Sequence, residues 1–290
     1  MAVRSVLVTG CSAGGIGSAI ALVLARAGHH VFATARNTSK IAEELSVLSN
    51  VTVLPLDVTS QSSVIAAAKT VTESGQGLDV LVNNAGAGYV MPILDMDIER
   101  AQRTYDTNIW GSIRTVQAFA DLLIASRGRI INISSMGCIM NMPWLSTYTS
   151  SKIALTLISE TLRLEMSPFG VSVATIMAGV VKSNFNNSVA DFSLPPDSHY
   201  SRIEKNISRW ATGEAQPEGV TAEEFAKSLI EDIVGERGKK GGKVWTGSFS
   251  TVTKWVVSLI PTSIMDMLVS KGQGLAELSK MVAGEGKHVD

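Results

Sequence analysis

Six short apolar runs rich in β-branched residues, separated by stretches of helical spacing, decide what this chain of 290 residues can fold into. "SVLVTG" is followed by "IGSAIALVLARAG", "HHVFATAR" by "TSKIAEELSVL", and "VTVLPLDV" by "SQSSVIAAAKTVTES". "LDVLVNNAG" leads into a helical pattern from about Met96 to Ala125. "GRIINISS" leads into the long helix "STYTSSKIALTLISETLRLEMSPFG", and "VSVATIMAG" is the sixth run. Connections this long and helical predict parallel strands buried on both faces. Right-handed crossovers then give an α/β fold with a doubly wound, mostly parallel sheet in three α/β/α layers. Its ligand crevice lies beyond the carboxyl ends of the strands.

The first turn, "TGCSAGGIG", carries Gly10, Gly14, Gly15 and Gly17 between a strand and a helix. Glycines there permit positive φ and the close approach of a diphosphate, and the next helix opens with unpaired N–H groups that favour an anion. A tight turn with no ligand would use the same residues, so this motif alone does not decide. Net charge −1 gives no long-range attraction to nucleic acid or to an acidic membrane. Two cysteines, Cys11 and Cys138, are too few for a disulfide scaffold, and no grouping suggests a metal site. With no basic-then-apolar leader and no apolar stretch near the ~18 residues of a spanning helix, an intracellular, cytoplasmic protein is expected.

After Gly179 the composition turns polar, with a Pro pair in "NFNNSVADFSLPPDSHYSRIEKN", as in a mobile loop or lid. "TAEEFAKSLIEDIVG" resumes a helix, Thr221 and Glu224 forming a capping box, and "GKKGGKVWTG" reads as a turn and a last strand. The expected organisation is a single Rossmann-type domain over residues 1–250, with a lid at about 184–215, and an apolar C-terminal extension over 251–290.

Six pieces in order, "TGCSAGGIG", "LDVT", "NNAG", "TNIWG", "NISSMG" and "YTSSK", resemble the short-chain dehydrogenase/reductases over roughly residues 3–250. Within them, the extended glycine turn and the apolar extension most resemble fungal reductases related to the 1-acyldihydroxyacetone-phosphate reductases. The glycine turn has one residue more than the family's usual T-G-x-x-x-G-I-G, which leaves open whether Ser12, Ala13 or Gly14 meets a phosphate. The resemblance implies a nucleotide held by Gly10, Ser12, Gly15, Ile16 and Gly17. Asp57 and the Val58 backbone would lie beside the adenine, and Asn84, Ala85 and Gly86 along the ribose. Val181 and Ser183 would meet the nicotinamide carboxamide. Asp57 could equally cap a local turn, and Asn83 is expected to tie neighbouring strands. The second strand ends in Arg36 with no carboxylate, which suits a 2′-phosphate and points to NADP(H); a solvated loop charge is the plainer alternative. Ala178-Gly179 stands where the family has Pro-Gly, which is expected to loosen that turn.

Tyr148 and Lys152, four apart on a helix, share one face. A neighbouring ammonium and an oxidised nicotinamide would lower the phenol pKa, so that Tyr148 exchanges a proton with a carbonyl or alcohol oxygen. Lys152 would also hold the nicotinamide ribose. By the family's spacing Ser135 would stabilise that oxygen, with Ser134 structural, and Asn108 would bend a helix and extend a proton relay through a water. The expected activity is NADPH-dependent reduction of a ketone on an apolar lipid-, steroid- or polyketide-like substrate. Dehydration or isomerisation at the same site, or a non-catalytic NADP(H) sensor, are the alternatives. Gly88, Tyr89, the methionine-rich loop Cys138 to Trp144 and the lid should bound the substrate. His29, His30 and His199 are expected at the surface or in loops. A homodimer or homotetramer is expected. The extension, with two tryptophans and a short apolar run ending at Pro261, could pack on itself, on a subunit, on the cleft, or peripherally on endoplasmic reticulum or lipid droplets.

Overall fold

The computed structural model describes residues 2–185 and 192–285. Its strands are β1 (Ser5–Val8), β2 (His30–Ala35), β3 (Val51–Pro55), β4 (Val80–Asn83), β5 (Arg129–Ser135), β6 (Ser172–Ala178), β7 (Val181–Lys182), β8 (Val220–Thr221) and β9 (Gly242–Thr246). Seven of them form one parallel sheet in the order β3-β2-β1-β4-β5-β6-β9. Alternation within the strands explains why the runs are apolar throughout. Val6 and Val8 of β1 and Val80 and Val82 of β4 enter one core layer, whereas Leu7 and Leu81 enter the other. Both faces are buried, so neither can be polar.

The helices are α1 (Ile16–Arg26), α2 (Glu43–Ser46), α3 (Gln61–Glu73), α4 (Ile98–Tyr105), α5 (Gly111–Ser126), α6 (Ser146–Met166), α7 (Glu204–Ala211), α8 (Ala222–Ile233), α9 (Ser250–Leu259), α10 (Thr262–Ser270) and α11 (Leu275–Glu285). Ile20 and Leu24 of α1, Leu45 of α2, and Phe225 and Leu229 of α8 cover one face of the sheet. Val71 of α3, Phe119 and Leu123 of α5, and Met166 of α6 cover the other. The strand order reverses between β1 and β4, and the chain leaves both strands there without bridging the gap, which opens a crevice.

Several expectations need correction. The helix expected over "TSKIAEELSVL" is broken. Asn37 accepts from the Ser39 N–H and starts a 3₁₀ turn, Ile41 is extended, and only α2 is α-helical. The Lys40 carbonyl is held by the Ala13 N–H at 2.8 Å, which pulls this segment onto the glycine turn. His29 is buried rather than exposed, its Nδ1 accepting from the Arg4 N–H at 3.1 Å, and His30 is half-buried in β2 beside Phe32. The run Met96 to Ala125 is helical but carries a π-helical turn over Asp106–Trp110. The polar lid contains α7, which buries Ile207 and Ala211; the part of the lid at residues 186–191 lies outside the described residues. β7 and β8 form a separate two-stranded parallel sheet that the sequence did not signal. The capping box at Thr221 and Glu224 is formed.

Arg129 opens β5 and is buried. Its guanidinium donates to the Asp232, Ile233 and Gly235 carbonyls at 2.9, 2.7 and 3.1 Å, satisfying the C-terminal end of α8. Arg129→Leu strands those acceptors and should lower the unfolding free energy by about 3 kcal/mol in urea denaturation. Arg129→Lys should rescue little, because an ammonium lacks the planar fork.

Candidate active site

The glycine turn is shaped by its own backbone. Gly10 and Gly14 have φ of 75° and 72°, and the Gly15 N–H returns to the Ser12 carbonyl at 3.1 Å. A Cβ on Gly17 would collide with the Asn84 amide and the Gly10 carbonyl, so the helix can start this close to the strand only at glycine. Gly15 caps α1 without a side-chain bond and no acid stands in its first turn, so the positive end of the helix is uncompensated. Such a turn fits a diphosphate. Ser12 is exposed beside it, and Ile16 opens the helix. Arg36 is exposed beyond β2 with no carboxylate partner among the described residues.

Asn84 holds this turn to the end of β4. Its Nδ2 donates to the Thr9 and Gly10 carbonyls at 2.9 and 3.2 Å, while the Thr9 hydroxyl accepts from the Asn84 and Ala85 N–H groups. The Asn84 side chain is therefore committed to the protein, and only its backbone, with Ala85 and Gly86, borders the crevice. Asn83 donates to Asn132 at 2.9 Å, linking β4 to β5. Asp57 accepts from the N–H and hydroxyl of Thr59, forming a local cap with the oxygen it uses. Val58 is buried, and its carbonyl accepts from Arg114.

Ser135, Tyr148 and Lys152 meet at the carboxyl end of β5. The Ser135 hydroxyl stands next to the Tyr148 phenol and accepts from the Gly137 N–H at 3.2 Å. Ser134 is turned inward to Thr156 at 2.7 Å and to the Lys152 carbonyl. Lys152 is buried and donates to the Ile133 carbonyl at 2.9 Å. Gly86 lies between these groups: a Cβ there would stand 3.3 Å from Asn108 Oδ1 and 3.4 Å from Lys152 Nζ. Asn108 sits within the π-helical turn, clamps Ala87 through both its N–H and its carbonyl, and donates to Ser151 at 2.8 Å.

The electrostatics differ from the expectation. Loss of solvent pushes the Tyr148 phenol up to about 12, against the hydrogen bond from Ser135, which draws it down. The same loss of solvent brings the Lys152 ammonium down to about 8. Desolvation is the largest influence on both groups. Cys11 is inert, its thiol raised to about 12 by burial.

At the sixth strand, the turn at Ala178-Gly179 is held rather than loose. The Gly179 and Val180 N–H groups donate to Thr246 and Ser248, and the Ser248 carbonyl fills the space a Gly179 side chain would need. Val181 lies in β7, and Ser183 follows it, half-buried. Asn184 was missed by the sequence reading. It covers the glycine turn, donating to Ala13 and Gly14 carbonyls. Tyr89 does not face the cleft as expected: it is buried, its hydroxyl accepts from the Asp97 N–H and Arg100 stacks over its ring. Trp144, also unforeseen in its geometry, is buried with φ of 69°, and its indole N–H finds no partner among the described residues. Nothing in a sequence announces a tryptophan in left-handed backbone. Phe185 lies against the Tyr148 ring at 5.6 Å between centroids.

Lys152 gives a pH test. With a folded pKa of about 8 against an ordinary 10.5, the native state binds fewer protons than the unfolded chain between these values, so stability rises with pH across that window. Lys152→Met should unfold later than wild type at pH 7. Its advantage should shrink by about 2 kcal/mol by pH 10, read from urea curves at each pH.

Comparison with known proteins gives the family. Residues 4–193 match the family model described as short chain dehydrogenase. A short-chain dehydrogenase of Penicillium ochrochloron, ptmH, is 43% identical over 274 residues, covering 94% of this chain and 99% of the relative. The NADPH-dependent 1-acyldihydroxyacetone phosphate reductase of Schizosaccharomyces pombe is 34% identical, covering 92% and 93%. Among solved structures, a short-chain dehydrogenase from Streptomyces avermitilis has a TM-score of 0.75 at 24% identity, covering 98% of each chain. One from Burkholderia cenocepacia in complex with NADP scores 0.72 at 20% identity, covering 92% and 97%. With a matching family model over most of its length and relatives aligned nearly end to end, the chain belongs to the short-chain dehydrogenase family of oxidoreductases.

Proposed function

We propose that the protein uses NADPH to reduce a ketone on an apolar lipid-, steroid- or polyketide-like substrate to a secondary alcohol. The observation that carries this reading is the meeting of Ser135, Tyr148 and a buried Lys152 at the crevice bordered by the glycine turn. The dinucleotide, when bound, supplies the hydride. Gly10, Ser12, Gly15, Ile16 and Gly17 would hold its diphosphate, Arg36 its 2′-phosphate, Asp57 and Val58 its adenine, and Val181 and Ser183 its carboxamide. The S. pombe relative's description as NADPH-dependent is consistent with that choice.

Tyr148 then gives its proton to the substrate oxygen as the carbonyl carbon is reduced, and Ser135 donates a hydrogen bond to the same oxygen. Burial keeps the Tyr148 phenol protonated at neutral pH, the state that donation requires. Lys152 and Asn108 position the groups around Gly86 and carry the replacement proton. Phe185 against the phenol is an apolar neighbour of the reacting groups, and the loop before α6 carries Met140 and Met142; these are the support for an apolar substrate. We assign self-association to the outward row Ile153, Leu157 and Leu164 of α6 beside Trp110, all exposed in the single chain.

Tyr148→Phe should lower kcat for ketone reduction by about 10²–10⁴-fold with NADPH binding within a few-fold of wild type, followed by absorbance and by nucleotide titration. Near-normal turnover would remove the proton-donor role. Arg36→Ala should reduce the preference for NADPH over NADH, as a ratio of kcat/KM, by at least about tenfold, the worth of one charge-assisted bond.

A further inference from the structure

We infer that α9 and α10 form a surface that docks on anionic lipid next to the substrate cleft. Surface helices ordinarily turn apolar residues inward and polar ones to water. α9 does the reverse. Its buried residues are Ser250 and Thr253, while Val252, Trp255 and Leu259 face out, the last two 58% and 79% exposed. α10 buries none of its residues and exposes Ile264, Met267 and Leu268, and Phe249 at the start of α9 is exposed as well. An outward apolar patch built from two consecutive helices is a binding surface rather than scattered exposure.

Charge and residue type choose the occupant. Lys254 lies over the Trp255 ring at 5.1 Å, and Lys271 follows α10, exposed. The single carboxylate on these two helices, Asp266, is turned to the protein and accepts from Asn141 at 2.9 Å. The outward face therefore presents apolar side chains, a tryptophan and lysines with no opposing acid, which suits the headgroup boundary of an anionic leaflet. No helix among the described residues is long and apolar enough to cross a membrane, so the segment lies in the interface. A second copy of the chain has a different candidate face, on α6.

The patch adjoins the cleft. Asn141 belongs to the loop that precedes α6 and Tyr148, and α9 packs against the 3₁₀ turn Met136–Ile139 that follows Ser135. Leu275 and Leu278 of α11 join Trp144, Ile203 and Ile207 in one apolar cluster. A lipid-dissolved substrate would meet the cleft where the protein meets the lipid; that consequence rests on the reductase reading, whereas the docking does not.

The test is flotation of the full chain with unilamellar vesicles of phosphatidylcholine containing phosphatidylserine, alongside vesicles of phosphatidylcholine alone. Wild type should float with the mixed vesicles and less with the neutral ones. Trp255→Ser combined with Leu259→Ser should lower the bound-to-free ratio by at least about tenfold. Lys254→Glu combined with Lys271→Glu should lower it about tenfold on the mixed vesicles alone. All variants should oxidise NADPH with a water-soluble ketone as wild type does, which reports an intact fold. Absence of that activity in wild type would count against the reductase reading and leave flotation to decide the docking. The inference is overturned if wild type stays at the bottom of the gradient or if the Trp255/Leu259 variant floats like wild type. It is also overturned if light scattering shows that these substitutions break an oligomer that never floated.

Discussion

The side chain of Asn84 and the hydroxyl of Thr9 hold the crevice open and in register. Where the strand order reverses, the loops that follow the paired strands β1 and β4 separate, and side chains tie one loop to the other. Asn84 donates across this gap to two carbonyls of the glycine turn, and Thr9 accepts two N–H groups in return. Four hydrogen bonds thus fix a segment that lacks secondary structure of its own. The absence of side chains at Gly10 and Gly17 is the other half of the arrangement, because the Asn84 amide fills the space a Cβ on Gly17 would need. The diphosphate cradle and the base of the reacting cluster are in this sense one piece.

Above that base, desolvation governs the chemistry. The phenol and the amine are both displaced toward their neutral forms, the first upward and the second downward, since burial penalises whichever form is charged. The lysine offsets part of its cost by donating to the Ile133 carbonyl rather than to the phenol. Ser135 is the group that acts on the phenol directly. Burial therefore leaves the proton on Tyr148.

Much of this was legible in the residues. Strand and helix periods, the capping box at Thr221, and the spacing of Ser135, Tyr148 and Lys152 all carry a local signature, and the fold brings those three side chains together. What escaped were features set by tertiary contact. α2 is short because the Ala13 N–H draws the Lys40 carbonyl onto the glycine turn, a bond between segments 27 residues apart along the chain. His29 is buried because Arg4 supplies it a donor, and Arg129 is buried because α8 ends on its guanidinium. Tyr89 and Tyr148 are both aromatic residues beside the cleft. Only the packing of α4 explains why the first is structural and the second stands with the reacting groups.

The π-helical turn at Asp106–Trp110 has a consequence for how this segment tolerates change. One residue beyond the α-helical count is wound into an otherwise continuous rod running from Ile98 to Ser126. Deleting one position within that turn would let the rod relax to ordinary pitch with its two ends keeping their faces, and only the widened turn that carries Asn108 would be lost. Asn108 would then leave Ala87, while the Tyr105 hydroxyl, 2.6 Å from Ser150, would stay where it is. The extra residue thus serves one side chain, and the remainder of the rod is indifferent to it.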